Sequence, residues 1–251
     1  MSKERGLICC AESVRGFLEN RKSQTRRIIK PQPKKLNERI FGFPVGQYSN
    51  VANIKNNLWV YQTKRWRPNR NSAFRQVSSP PFKCPYGQVG DRLWVRETFV
   101  IENPEYYGYD YELPTDRPIE YHGPEKTQPL IPHYRATEPE PNIVPIDDIE
   151  DELDDRTRWR PSIFMSKWAA RIWLEITNIR VERVQDIDEN GACAEGCELY
   201  TSETNLGPVR TFERLWDSLH AKRGFGWDKN PWVWVLEFKR IKILKDKVNE
   251  Q

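Results

Sequence analysis

The chain has 251 residues, of which 37% are hydrophobic and 12% aromatic, enough to build the core of one large domain or two small ones. No apolar run approaches the roughly 20 residues that a membrane span needs, and the N-terminus lacks a signal-peptide core, so we expect a cytoplasmic protein without a membrane partner. Residues 1–80 contain 17 Lys and Arg against four Glu and no Asp, whereas the rest of the chain is acidic. A basic half favours a nucleic-acid partner, RNA or DNA.

The first elements along the chain are a strand and a helix. Residues 6–10 predict a buried strand. Residues 11–20 predict a helix, because Val14, Phe17 and Leu18 fall on one face at helical spacing. The basic run that follows this helix is therefore presented at the end of a packed element.

That basic run combines one lysine and one threonine with three arginines: Arg21, Lys22, Thr25, Arg26 and Arg27. Neighbouring positive charges favour the neutral form of a lysine, so Lys22 can act as a base or nucleophile. The same run can instead hold a phosphate group, or it can be a solvated basic turn. A short strand at Ile28–Ile29 follows.

Residues 34–80 form a basic insertion that we interpret as irregular. Inside it, cationic side chains alternate with aromatic ones, as in grooves that bind nucleic-acid strands. The candidate nucleic-acid-binding residues here are Arg65, Trp66, Arg67 and Arg70. The alternative is a loop whose aromatic side chains, Trp66 and Phe74, attach it to the core.

Residues 92–100 predict a strand after a Gly-Asp turn, and Trp94 within it is a further candidate for nucleic-acid binding. Residues 101–160 form a second insertion, rich in Pro and Tyr, with seven acidic residues at 147–155. The acidic run indicates a solvated loop or, alternatively, a lid over a basic groove.

The remaining elements follow clearer patterns of hydrophobic residues and helix caps. They are a short helix at 162–168, a strand at 171–184, helices at 188–195 and 211–219, and a strand at 232–239. Several strands with a few short helices indicate a mixed α+β fold, mainly β, built as a small barrel.

The five cysteines show no disulfide-framework pattern, so we expect reduced thiols. Cys193 and Cys197 are one helical turn apart, and Cys9, Cys10 or Cys84 could complete a zinc site in principle. The spacing is unspecific and only three histidines are present. We therefore expect no metal and no cofactor.

Four stretches together resemble the ASCH domain, a PUA-like β-barrel family. They are residues 17–27, with a helix followed by a basic turn; 89–95, with a Gly-Asp turn and strand; 173–196, with a strand and helix; and 232–238, with a closing strand. The resemblance implies one domain over 1–251, a PUA-like barrel with short flanking helices and loop insertions at 34–80 and 101–160. Long proteins of this type are carried by bacteriophages and prophages.

The resemblance also implies a chemistry. Related small bacterial ASCH proteins are amidohydrolases acting on N4-acetylcytidine, and Lys22, Thr25 and Glu195 occupy the positions of their catalytic set. Asn20 replaces the usual glycine before the Arg-Lys pair. Other ASCH domains resemble ribonucleases or RNA binders, so the alternatives are a non-catalytic nucleic-acid-binding phage accessory protein and a ribonuclease.

The chemistry is consistent with these side chains taken alone. Neutral Lys22 can take a proton from Thr25 or from water, Glu195 can protonate a leaving amine, and Arg26 or Arg27 can stabilise an oxyanion. We therefore predict that Lys22, Thr25 and Glu195 converge on one pocket for a modified nucleoside or RNA base. The alternative is that Glu195 only forms an ion pair with Lys22.

Overall fold

The structure is a computed structural model. It describes residues 2–32, 39–40, 43–44, 50–55, 58–67, 73–78, 81–102, 118–122, 128–139, 159–197 and 206–242.

Strands dominate the described residues. In chain order they are β1 (Glu4–Ile8), β2 (Gln24–Ile28), β3 (Arg39–Ile40), β4 (Phe43–Pro44), β5 (Asn50–Lys55), β6 (Leu58–Arg67), β7 (Ala73–Ser78), β8 (Phe82–Lys83), β9 (Arg92–Arg96), β10 (Phe99–Glu102), β11 (Glu120–His122), β12 (Gln128–Tyr134), β13 (Trp173–Arg183) and β14 (Trp232–Ile241). The helices are α1 (Ala11–Leu18), α2 (Glu189–Ala194) and α3 (Pro208–His220). The predicted class, mixed α+β and mainly β, is confirmed.

The chain divides into two compact units. Unit 1 comprises Met1–Ser23, Asp91–Glu175 and Phe238–Gln251, and unit 2 comprises Gln24–Gly90 and Ile176–Glu237. Strands β13 and β14 each contribute residues to both units.

In unit 1, β1 pairs with β9 in parallel, and β9 pairs antiparallel with the first residues of β13. Leu93 and Val95 are buried and alternate with half-buried neighbours along β9, the period-two pattern of a strand with one core face. Strand β12 pairs antiparallel with both β10 and β11. The core here consists of Phe99, Ile101, Tyr134, Met165, Ala169 and Ala170.

In unit 2, β14 pairs antiparallel with β2, from Val233 opposite Ile28 to Glu237 opposite Gln24. Strand β6 pairs with β5, β7 and β8, and β3 pairs with β4. Helix α3 is amphipathic and buries its aromatic side in the core of this unit. That core consists of Val184, Ile187, Ala192, Cys197, Phe212, Trp216, Val233 and Val235.

The predicted helices at 11–20, 188–195 and 211–219 are confirmed as α1, α2 and α3. The strands predicted near 6–10, 92–99, 171–184 and 232–239 correspond to β1, β9 with β10, β13 and β14. The predicted helix over 162–168 is instead two short 3₁₀ turns, Ser162–Phe164 and Lys167–Ala169.

Two predictions about irregular segments are wrong. The described part of 34–80 consists of strands, including the antiparallel set β5, β6 and β7, and β11 and β12 lie within 101–160. The basic run is also not a turn throughout, because β2 already begins at Gln24 rather than at Ile28. Strands β5, β6 and β7 pair with their neighbours along the chain and β2 pairs with the distant β14, and local hydrophobic periodicity reveals neither kind of pairing.

Among the residues that the structure describes, no helix is long and apolar enough to cross a membrane.

Candidate functional site

Lys22 lies just after α1, in unit 1, and its side chain is buried. Helix α1 ends at Leu18, and two residues later Asn20 adopts the left-handed conformation, with φ of 57°. This confirms the predicted helix end. The backbone N–H of Lys22 then donates to the carbonyl of Gly16 at 3.0 Å. A side chain at position 16 would begin 3.1 Å from Cβ of Lys22, so the glycine permits this close approach. The turn therefore holds a buried lysine in a fixed place.

Thr25, Arg26 and Glu195 belong to unit 2, and all three are buried. Nη1 of Arg26 lies 3.3 Å from Oε1 of Glu195, across 169 residues of sequence. Its other terminal nitrogen, Nη2, lies 3.2 Å from Oε2 of Glu182. The structure thus brings Glu195 to the strand that contains Thr25, by way of an ion pair with Arg26.

Glu195 is positioned by α2, which it directly follows. Asp188 caps the helix, since its Oδ1 accepts a hydrogen bond from the Gly191 N–H at 2.7 Å. A side chain at position 191 would lie 3.3 Å from Nη2 of Arg26 and closer still to Asp188. A glycine at this position therefore allows α2 to lie close to Arg26.

The Arg26–Glu195 pair is one end of a longer network of alternating charges. Glu182 also bonds Nε of Arg180, and Nη1 of Arg180 bonds Glu237. Burial lowers the pKa of Arg180, but the hydrogen bonds and charges of Glu182 and Glu237 outweigh this and raise it above its ordinary value. Five side chains thus form a continuous chain of ion pairs, in the order Glu195, Arg26, Glu182, Arg180 and Glu237.

Gln24 joins this network to α2. Its Nε2 donates to the Gly191 carbonyl at 2.7 Å, and its Oε1 accepts from Nη2 of Arg180 at 3.3 Å. Because side chains alternate along a strand, Gln24 and Arg26 lie on one face of β2, and Thr25 and Arg27 lie on the other. The convergence of Lys22, Thr25 and Glu195 on one pocket stays a prediction.

The other candidate nucleic-acid-binding residues are spread over the chain. Arg21 pairs with Glu19, and the Trp94 ring lies 5.2 Å from the guanidinium carbon of Arg96. Arg65, Trp66 and Arg67 fall on β6, whose side chains at these positions are not described, and Arg70 lies outside the described residues.

Sequence reasoning missed a second buried charged cluster, in unit 1. Glu97 accepts two hydrogen bonds from Arg171, at 3.0 and 2.9 Å, and the guanidinium carbon of Arg171 lies 3.9 Å from the centre of the Tyr134 ring. Burial raises the pKa of Glu97, and the hydrogen bonds and charge of Arg171 oppose that rise.

His133, the residue before Tyr134, bonds Glu102 at 2.7 Å and Glu138 at 2.6 Å, one carboxylate on each ring nitrogen. A lone histidine near a proline-rich segment gave no signal for this arrangement, because Glu102 lies 31 residues earlier in the chain. Within the described ranges, no three His, Cys, Asp or Glu side chains are placed to hold a metal ion.

Comparison of the chain with family models, with curated proteins and with solved structures found no match. The resemblance to the ASCH domain therefore stays an interpretation of the sequence motifs.

Proposed function

We propose that this protein binds a nucleobase, as a free modified nucleoside or within RNA, and hydrolyses an exocyclic amide of that base such as the one in N4-acetylcytidine. The residues proposed to act are Lys22, Thr25 and Glu195. The PUA-like barrel is the fold proposed to hold them.

One observation supports this function above the others: Glu195 is buried and lies in an ion pair with Arg26, the residue directly after Thr25. Burying a carboxylate is costly unless it is paired and oriented. Two stretches that the sequence motifs place 169 residues apart thus lie together within unit 2. A carboxylate held in this way is suited to donate or accept a proton at a fixed position.

The proposed reaction is the hydrolysis of the exocyclic amide bond. Neutral Lys22 takes a proton from the nucleophile, either the Thr25 hydroxyl or water, and the nucleophile attacks the acyl carbon. The C–N bond then breaks, and the proton held by Lys22 passes through the Glu195 carboxylate to the exocyclic amine, so that both side chains return to their starting state. If Thr25 is the nucleophile, water releases the acyl group from it in a second step.

The structure also bears on which arginine faces the oxyanion. Arg26 is already paired with Glu182 and Glu195, so its charge is largely balanced by two carboxylates. Arg27, on the other face of β2 and on the same face as Thr25, is the better candidate to stabilise a developing oxyanion.

The second candidate function is nucleobase or RNA binding without catalysis. The same Arg26–Glu195 contact favours it, because a carboxylate in an ion pair can be purely structural. In that case Glu195 holds β2 against α2 and takes no part in a proton transfer.

Mass spectrometry of reaction products separates these functions. The protein is incubated with acylated and alkylated nucleosides and with RNA oligonucleotides containing them, and Lys22→Ala and Lys22→Arg are tested alongside. Hydrolysis predicts deacylated product from the native chain and from neither variant, since Arg cannot lose its proton. Binding without catalysis predicts no product from any substrate, with affinity largely retained in Lys22→Arg. If the native chain neither binds nor changes any member of the panel, both functions are wrong.

A further inference from the structure

The C-terminal end of α3, in unit 2, carries a histidine with an unusual environment. His220 is the last residue of α3, and its ring centre lies 4.3 Å from that of Trp216. Its Nδ1 is buried, and no hydrogen-bond partner for it exists among the described residues. A polar ring atom at this position is therefore available for a further contact.

A lysine from a distant part of the chain reaches the same place. The Trp216 Nε1–H donates to the Phe225 carbonyl at 2.8 Å, and the Phe225 N–H donates to the His220 carbonyl at 3.2 Å. Nζ of Lys30 lies 5.5 Å from the centre of the Phe225 ring. Lys30, which follows β2, is thus held beside the turn after α3 by an aromatic contact.

Two more positively charged side chains affect the pKa of the His220 ring. Arg223 lies in the turn directly after α3, and Arg27 lies on β2. Burial lowers the pKa of His220, and the charges of Arg223, Arg27 and Lys30 lower it further, to about 4. The lowered pKa of His220 and the ring contacts therefore both indicate that several positive groups lie near one neutral imidazole.

Within the described residues, neither Lys30 nor Arg223 forms an ion pair with a carboxylate, and both are exposed. Asp217, on the same helix, accepts a hydrogen bond from the Trp227 N–H at 2.6 Å. A helix C-terminus attracts cations, which favours both Arg223 and Lys30 at this place, and the Phe225 ring holds Lys30 there as well. An anion bound between these like charges would lower their mutual repulsion.

We propose that Lys30, Arg223 and Arg27 form a phosphate-binding site at the C-terminal end of α3, with His220 at its floor. Ammonium and guanidinium groups both donate charge-assisted hydrogen bonds to phosphate oxygens. The phosphate belongs to a nucleotide or to the backbone of a nucleic-acid strand. This site does not depend on the proposed amide hydrolysis, and it can exist whether or not the protein is an enzyme.

The test measures binding of a fluorescent single-stranded oligouridylate of about ten nucleotides, by anisotropy over a range of salt concentrations. The native chain is compared with Lys30→Gln/Arg223→Gln and with Lys229→Gln/Lys242→Gln. The second pair removes the same two charges from other exposed positions, so it controls for net charge. Uridine 5′-monophosphate and uridine are added as competitors.

The site predicts at least about tenfold weaker binding for Lys30→Gln/Arg223→Gln, and a salt slope lower by about one per cation removed. The control pair should change affinity by less than about twofold. Displacement by the monophosphate but not by uridine identifies a single nucleotide phosphate as sufficient, and displacement by neither identifies the strand backbone. The proposal is overturned if the two double variants behave alike, or if the native chain binds neither phosphate-containing probe.

Discussion

The two units both bury charged side chains, but they satisfy those charges in different ways. In unit 1, Glu97 and Arg171 form a two-pronged pair with distances of 2.9 and 3.0 Å. In unit 2, Arg26 divides its guanidinium between Glu182 and Glu195 at 3.2 and 3.3 Å, and its buried Nε has no hydrogen-bond partner in the described ranges. In the first arrangement, the closed pair, each carboxylate oxygen of Glu97 accepts one hydrogen bond from Arg171, whose Nη1 also donates to Thr137. In the second, the open network, one guanidinium serves two carboxylates.

This difference teaches that burial of charge alone does not identify a functional site. A closed arginine–carboxylate fork uses its hydrogen-bonding capacity internally, and such pairs often serve structure. A branched network with an unused donor has capacity left for a ligand or for a proton transfer. The comparison therefore favours a structural role for the Glu97 pair and supports the proposal that Glu195 acts in the functional site.

The largest expected effect on stability comes from breaking the closed pair. Glu97→Gln leaves the Arg171 guanidinium without its counter-charge, so we expect the free energy of unfolding to fall by about 3 kcal/mol. Urea denaturation measures this loss. Glu4→Gln is the control, since Glu4 pairs with Arg92 at 4.0 Å and with Lys167 near the surface and should change stability by less than about 1 kcal/mol. A loss under about 1 kcal/mol for Glu97→Gln would show that the pair is not the structural element described here.

A smaller effect is expected from the open network. Arg26→Met removes one partner from both Glu182 and Glu195, and we expect a loss of about 2 kcal/mol in the same denaturation experiment. The loss is smaller because the Glu182 side chain is 24% exposed and water can replace its partner. Arg210→Met, in an exposed pair with Glu213, should be nearly neutral. An Arg26→Met protein as stable as the native one would mean that the network is not stabilising.

The sequence predicted part of this comparison. The helix before Lys22, the strand and helix before Glu195, and the burial-prone strand at 232–238 all follow from local periodicity and helix caps. The alternative that Glu195 forms an ion pair with Lys22 stays a prediction, and a contact that the structure does describe joins Glu195 to Arg26. Which residue pairs with Glu195 depends on which face of β2 meets α2, and strand register sets that face.

The sequence could not predict the Glu97 and His133 clusters, or the strands within 34–80. Glu102 and His133 come together through the pairing of β10 with β12, whereas β5, β6 and β7 pair with their neighbours along the chain. One signal was available: Asn56 and Asn57 separate two runs that contain strand-forming residues, a pattern typical of a hairpin.

The pH dependence of stability tests the environment of His220 at the end of α3, independently of the Glu97 and Glu195 pairs. The pKa of His220 is lowered to about 4 in the folded state, below its value of about 6.5 in an unfolded chain. The neutral ring therefore contributes stability that is present above pH 6.5 and is lost as the pH falls towards 4. We expect the native chain to lose stability over this interval more steeply than His220→Gln, as measured by urea midpoints at several pH values. Parallel pH profiles would contradict the described environment of His220.

The smallest expected effect concerns the cysteines. In denaturant all five thiols should react with a thiol reagent, because none of the five forms a disulfide. A chelator should leave the midpoint of thermal unfolding unchanged, because the described residues contain no group of three His, Cys, Asp or Glu placed to hold a metal ion. Fewer than five reactive thiols, or a chelator-dependent midpoint, would revise this expectation for the Cys193 and Cys197 region.

The most direct test of the functional role of the open network compares the two carboxylates that pair with Arg26. Glu182 and Glu195 both pair with Arg26, so Glu182→Gln and Glu195→Gln disturb the same guanidinium. The measurement is the rate of acyl release from N4-acetylcytidine per folded molecule, by mass spectrometry. The account predicts a loss of about 100-fold or more for Glu195→Gln, as for removal of a proton-transfer group, and a change within about threefold for Glu182→Gln. Equal rates in the two variants, or a native rate in Glu195→Gln, would contradict it.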